Sequence, residues 1–237
     1  MSRLRRAELR VGLCPDRLVL PDSVNPITGD AASELKKLAA GKRIAVVLSN
    51  HFVRYALLHG SNVLKSERDW AGYAQHQFAS TYGSAASAWR IRLCSTGRNG
   101  PRLACAIEAA LLESLRTIPG LVSVQPYLMA AFNARRRALS KQTAWFVLHE
   151  RGRLVLCLFI EGVWTRIRAR QAKGDWRAGL ADSLDREKAA LGELQCDRAV
   201  VCAEDEVPER VGHYFISDLS VPRRLGADQR SSLMALG

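Results

Sequence analysis

No stretch of this sequence is apolar for long enough to cross a bilayer as a helix. The longest such run, Leu154 to Ile160, is seven residues, against the roughly 18 to 20 that a spanning helix needs. The basic start, Met1 to Arg10, is followed by Val11 to Leu20, which Pro15, Asp16 and Arg17 interrupt. A secretory signal needs a continuous apolar segment there, so a cytoplasmic location is expected. Paired cysteines are also missing. Cys14, Cys94, Cys105, Cys157, Cys196 and Cys202 form no CxxC motif, and most have apolar neighbours. They are expected to be small buried hydrophobes rather than metal ligands or a disulfide framework.

The nucleotide and hydrolase signatures are missing too. The sequence has no GxxxxGK[ST] loop, no GxGxxG after a strand, no HExxH and no GxSxG elbow. It has no helix-turn-helix, zinc or RNP-type motif and no short internal period. Acidic residues are in deficit, 23 against 35 lysines and arginines, giving a formal charge of +12 over 237 residues. That balance suits nucleic acid, anionic lipid head groups or an acidic protein surface. Hydrophobic residues at 48% and charged residues at 24% are those of a folded globular chain.

What is present alternates strands with helices. Leu9–Leu13 and Arg17–Leu20 flank Cys-Pro-Asp and predict a hairpin. Residues 22–30 predict a loop and Ala31–Ala40 a short helix closed by Gly41. Arg43–Leu48, Ser49-Asn50 and Phe52–Leu58 predict a second hairpin. Ser66 and Asp69 mark the start of a helix reaching Tyr82. Ala88–Cys94 and Arg102–Ile107 read as strands, Glu108–Thr117 as a helix, Leu121–Val124 as a strand and Tyr127–Leu139 as a helix opened by Pro126. Ala144–Leu148, Leu154–Ile160 and Trp164–Arg168 predict an antiparallel meander. A helix capped by Asp175 over Trp176–Leu194 follows, then strands Asp197–Cys202 and His213–Ser217. This is α/β layering in two tandem units, residues 1–140 and 141–218, with a loose basic tail over 219–237.

Several clusters invite chemistry. His149 and Glu150 adjoin on a strand end and so face opposite ways. Ser49-Asn50-His51 reads as a turn, and Glu204-Asp205-Glu206 as a solvated acidic loop. Arg135 and Arg136 lie in the last turn of a predicted helix, where cations favour the backbone dipole. Arg166, Arg168 and Arg170 share one strand face, and like charges there repel unless an anion or acidic neighbours compensate. These five arginines are the candidate partner-binding residues.

The opening Leu9-Arg10-Val11-Gly12-Leu13, the stretch Leu121-Val122-Ser123-Val124-Gln125-Pro126-Tyr127-Leu128-Met129-Ala130-Ala131-Phe132 and the meander from Trp145 to Arg168 together resemble the actin-like superfamily. Its members duplicate a ribonuclease-H-like unit. Within it, the resemblance is to the PilM-like and GspL-like proteins of type IV pilus and type II secretion assembly, over residues 9 to 218. The resemblance implies duplicated ribonuclease-H-like units with mixed sheets and flanking helices. It also implies a partner segment from an inner-membrane pilus or secretion protein, and a site at the cytoplasmic face where anionic lipid is near. Nucleotide-binding members carry acids and glycines at the first hairpin of each half. Here the corresponding positions are Gly12 and Asp16, then Glu150 and Gly152. Pro15 removes an amide donor, Asp16 falls on the turn, and no glycine pair occurs over Val200 to Glu206. A non-catalytic scaffold without cofactor is therefore expected. An ATP-binding enzyme using Asp16 or Glu150, and a basic nucleic-acid-binding protein, stand as the alternatives.

Overall fold

The computed structural model describes residues 8–60, 64–95, 100–192 and 195–220. Arg3, Arg5, Arg6 and the tail from Val221 onward, with Arg223 and Arg224, lie outside the described residues. In chain order the elements are β1 (Glu8–Leu13), β2 (Arg17–Val19), β3 (Val24–Pro26), α1 (Ala31–Ala39), β4 (Arg43–Leu48), β5 (Val53–Leu58), α2 (Glu67–Tyr82), β6 (Trp89–Ser95), β7 (Arg102–Glu108), α3 (Ala109–Arg116), β8 (Leu121–Pro126) and α4 (Tyr127–Leu139). Then come β9 (Ala144–Glu150), β10 (Arg153–Ile160), β11 (Val163–Gln171), α5 (Leu180–Ala189), β12 (Arg198–Ala203), β13 (Arg210–Val211) and β14 (Tyr214–Asp218). No described helix is long and apolar enough to cross a membrane.

Three sheets result, in the orders β3-β2-β1-β4-β8, β5-β7-β6 and β11-β10-β9-β12-β14-β13. The predicted pairing of β4 with β5 is not what the chain does. β4 is apolar and buried on both faces beyond Arg43, the mark of a central parallel strand. β1 and β8 take both of its edges in parallel register. β5 therefore leaves that sheet and pairs antiparallel with β7. The predicted loop over 22–30 contains β3, a three-residue edge strand on β2. Pro26 fits there because an edge can do without one amide donor.

The second half begins as the expected antiparallel meander, β9-β10-β11. A bulge opposite Leu158 and Phe159 changes the parity of β11. Trp164 and Ile167 thus share the main core, while Arg166, Arg168 and Arg170 face the side covered by α5. The helix after Asp175 is shorter than expected. It starts at Leu180, since Gly179 is a poor helix former and the Asp175 carboxylate accepts instead from Arg177 N at 3.1 Å and Nη1 at 3.0 Å. Trp176 is then free to stack on His149, ring centroids 5.0 Å apart. Two tail residues are ordered: Leu219 N donates to Val201 O at 2.8 Å, and Ser220 is fully buried.

One core cluster runs through both halves, joining Leu13 and Leu48 to Leu128 on α4 and to Leu148 and Phe159 beyond it. A second packs the outer face of the last sheet on α5, and a third packs β5-β7-β6 on α2. The helix α2 begins with a full capping box between Ser66 and Asp69. Five of the six cysteines are buried and none is in a disulfide. Close approach fixes Gly120, which has φ +76°; a Cβ there would sit 2.3 Å from Lys42 O. The Gly120 carbonyl also accepts from Ile44 N at 2.9 Å. Gly120→Ala is expected to cost about 2 kcal/mol or more, combining backbone strain with displacement of the β4–β8 junction. The midpoint of urea unfolding measures it.

Candidate functional site

The β1–β2 turn and the β9–β10 turn meet, although they are far apart in the chain. In the first, Cys14 N donates to Arg17 O at 2.9 Å. In the second, Gly152 adopts φ +76°, a conformation that favours glycine. Asp16 and Arg151, at the two tips, approach to 3.8 Å. A cleft of about 390 Å³ lies between the turns, with Asp16, Arg17, Ser49, His51, Glu150 and Arg151 in its walls.

Glu150 sits at the floor, 2% exposed. Asn50 N donates to its Oε1 at 3.0 Å, and the Asn50 amide and the Ser49 hydroxyl donate to it as well. Tyr55 OH donates to Asn50 Oδ1 at 2.6 Å, and His51 Nε2 contacts Arg151 O at 2.9 Å. Burial pushes the Glu150 carboxyl up to about 7, outweighing the hydrogen bonds that pull it down. Ser49 and Asn50 are thus not the exposed hairpin turn that was expected. Both are buried and tie the end of β4 to the end of β9. Burial also pushes the Cys14 thiol up to about 12, so it is no thiolate nucleophile at neutral pH.

A second tie closes the rim. Arg17 Nη2 donates to both carboxylate oxygens of Glu204 at 2.9 Å, each side chain being 17% exposed. The expected solvated acidic loop therefore supplies a half-buried ion-pair partner. No local pattern could have announced a contact spanning 187 positions. Burial raises the Glu204 carboxyl, with Arg17 opposing. Beside it, Asp205 lies 3.3 Å from His149 Nδ1. His149 faces away from Glu150, into the α5 side, as strand alternation requires, and burial depresses its imidazole.

Of the four positions that would serve if a nucleotide bound, the fold puts Asp16 and Glu150 in the wall of this cleft and Gly152 in the turn that follows Glu150 and Arg151. Gly12 is a sheet residue, opposite Val19 on one side and Val47 on the other. The donor set does not fit a nucleotide with its cation. Asp16 is held by Arg17 at 3.2 Å, both Glu150 oxygens are engaged by Ser49 and Asn50, and Pro15 has no amide to offer. Among the described residues no group of three or more His, Cys, Asp or Glu is placed to hold a metal.

The candidate arginines lie elsewhere. Arg166 and Arg168 both reach Glu187 on α5, at 2.7 and 3.2 Å, so an acidic neighbour compensates part of the stripe. Arg170 neighbours Arg186, and its buried Nε has no hydrogen-bond partner among the described residues. Arg135 Nε donates to Leu219 O at 2.7 Å, which anchors the end of the last sheet to α4. Arg136 is exposed in the last turn of α4.

A larger groove, about 680 Å³, runs between β6 and β8. Each is the outer strand of its sheet in the described structure. Ile91, Ile107, Leu112, Val122 and Met129 give it an apolar lining, and Arg90, Arg92 and Arg116 edge it. Val122 is 39% exposed. Sequence reasoning missed this groove, because it forms between strands that belong to different sheets.

No family profile matches the chain, and no curated protein is significantly similar to it in sequence. Solved structures are similar in fold. The cytoplasmic domain of EpsL, an inner-membrane component of the Vibrio cholerae type II secretion system, superposes with a TM-score of 0.59 at 12% identity, over 97% of this chain and 94% of that one. A PilM–PilN type IV pilus biogenesis complex gives 0.56 at 14% identity, over 96% and 90%. A Bacteroides thetaiotaomicron protein of unknown function with an actin-like ATPase fold gives 0.57 at 10% identity, over 87% and 86%. The fold is therefore actin-like, as the sequence resemblance implied.

Proposed function

We propose that this protein is a non-catalytic scaffold of a pilus or secretion assembly apparatus, holding an extended segment of an inner-membrane partner in the β6–β8 groove. The carrying observation is an exposed strand edge beside an apolar trough. An extended peptide can add to β8 through main-chain hydrogen bonds, its alternate side chains filling the trough. Arg90, Arg92 and Arg116 at the rim favour acidic residues on that segment and would speed its capture. Two similar folds come from a secretion and a pilus apparatus, which supports the same reading. So does the hairpin cleft, whose acids are engaged by the protein's own donors.

A synthetic peptide covering the cytoplasmic segment of the neighbouring inner-membrane assembly protein, followed by fluorescence anisotropy, tests the proposal. Val122→Glu and Met129→Glu are each expected to weaken binding by about tenfold or more, since each buries a charge against the peptide's apolar side chains. Lys36→Glu, on the exposed face of α1, should leave it unchanged. Equal affinity in all three variants would sink the groove. A thermal shift with excess Mg-ATP tests the catalytic alternative: ligand at 100 times its Kd would stabilise the fold by about 2.7 kcal/mol, and no such shift is expected.

A further inference from the structure

A third cavity, about 400 Å³, lies between β5, the end of α2 and β11. That volume suits a small organic ligand. Its walls carry Arg54, Arg166, Arg168 and His59, together with Gln77 and Thr81, and among the described residues no aspartate or glutamate lines it. Arg166 and Arg168 share the single carboxylate of Glu187. Arg54 uses Nη1 on the carbonyls of His51 and Val53, at 3.0 and 3.3 Å, and no carboxylate is among its described partners.

Arg153, the first residue of β10, is not itself in the lining but lies close enough to Arg54, Tyr55 and Tyr82 of the wall to interact with them electrostatically. Burial, and after it the guanidinium of Arg54, push it down. The carboxyl that would relieve it, Glu150, is occupied by Ser49 and Asn50. The Arg153 Nε is buried without a hydrogen-bond partner among the described residues. An orphaned buried donor is costly, more so on a charged group. Clustered guanidinium groups with one shared counter-charge repel. Both costs fall together if an anion enters the cavity. Guanidinium forks match the oxygens of a phosphate best, and the ring of Tyr82, 41% exposed, offers a flat surface beside them.

We infer that the cavity between β5, α2 and β11 binds a small phosphate ester, with Arg54 and Arg153 as its principal donors. This site is separate from the β6–β8 groove, and its success or failure does not depend on the scaffold reading.

Calorimetric titration of the full chain with inorganic pyrophosphate at low ionic strength tests it. One-to-one binding is expected, weakened by about tenfold or more in Arg153→Gln and in Arg54→Gln, as loss of a charge-assisted hydrogen bond implies. Asp16→Asn, in the hairpin cleft, and Arg136→Gln, on α4, should bind as the unaltered protein does. In the unaltered protein the Arg153 Nε–H resonance should shift on titration, a readout that stands even if a variant fails to fold. No binding, unchanged affinity in both arginine variants, or an unmoved Arg153 resonance would overturn the inference. Co-sedimentation with phosphatidylglycerol vesicles then identifies the source. Vesicle binding lost in Arg153→Gln assigns a lipid head group, and vesicle binding retained assigns a soluble ester.

Discussion

Glu150→Gln is expected to make the protein more stable above neutral pH and to remove most of the pH dependence of its melting temperature. The carboxyl is raised from an ordinary 4.5 to about 7 by burial. The folded state therefore holds a proton that the unfolded chain has already released between those two values. Stability from that proton is fully present below pH 4.5 and is lost as pH rises through about 7. The gap corresponds to at most about 3 kcal/mol. For a chain of this size that is a fall in melting temperature of roughly 6 to 12 °C between pH 5 and pH 8. Glutamine keeps an acceptor for Asn50 and carries no charge, so its profile should be flat across that window. Two other groups are shifted by burial as well. Glu204 is raised as well and acts in the same direction. His149 is depressed by burial and acts oppositely, with stability lost as pH falls through its lowered value. Subtracting the Glu150→Gln profile from that of the unaltered protein isolates the carboxyl. A difference flat from pH 5 to 8 would mean that Glu150 stays ionised when folded.

The elements were more legible than their partners. Ser66 and Asp69 announced α2 by a reciprocal pair of hydrogen bonds that needs only four consecutive residues. The β9-β10-β11 meander was legible for the same reason, since Gly152 and Gly162 close turns between adjacent strands. β4 shows the limit. Its unbroken apolar run fits a strand buried on both faces, yet nothing in Arg43–Leu48 says whether the neighbour is the next strand along or one many residues away. Assigning β5 to it followed adjacency in the chain, whereas burial selected β1 and β8. The late start of α5 was not legible, because Gly179 and the Asp175–Arg177 bonds act together with the stacking of Trp176 on His149, a partner from another strand.

The candidate site divided along the same line. The two turns were found because each is local, but what occupies the cleft between them is not. Ser49 and Asn50 have turn-forming side chains, and their chemistry in isolation favours an exposed turn. They become buried donors because the Glu150 carboxylate, itself buried, arrives from β9 and takes their hydrogen bonds. The arginine stripe on β11 was placed on one face correctly because side-chain alternation is intrinsic to a strand. Its counter-charge, Glu187, comes from a helix whose docking the strand does not encode. Cavities between sheets, including the β6–β8 groove and the arginine-walled cavity, are a further step removed, because both walls must be placed before the space exists.

Breaking the Arg17–Glu204 pair from one side is expected to cost more than removing it whole. Glu204→Ala leaves a guanidinium 17% exposed, with Asp16, 57% exposed and 3.2 Å away, as its remaining acidic partner among the described residues. Removing one member of a buried pair strands the other charge, typically at 3 to 5 kcal/mol when burial is complete. Partial exposure and Asp16 reduce that here to about 2 kcal/mol. Arg17→Met leaves Glu204 without its counter-charge, and protonation can relieve a carboxyl already raised by burial, so its cost should be lower and should shrink as pH falls. The double variant should lie close to the more stable single one. The coupling between the two sites in a double-mutant cycle is then about 1 to 2 kcal/mol, read from urea unfolding at pH 8. The structural meaning lies in where the pair sits. Arg17 follows the first turn and Glu204 follows β12, so their bond spans the rim of the cleft and fastens β2 to the end of β12. Coupling of that size would make the cleft a structural joint, held by the protein's own charges between the two hairpin turns. Additive variants would leave the cleft free to open there. The assignment of the cleft as a joint would then fall, and nucleotide binding would have to be sought in the opened form.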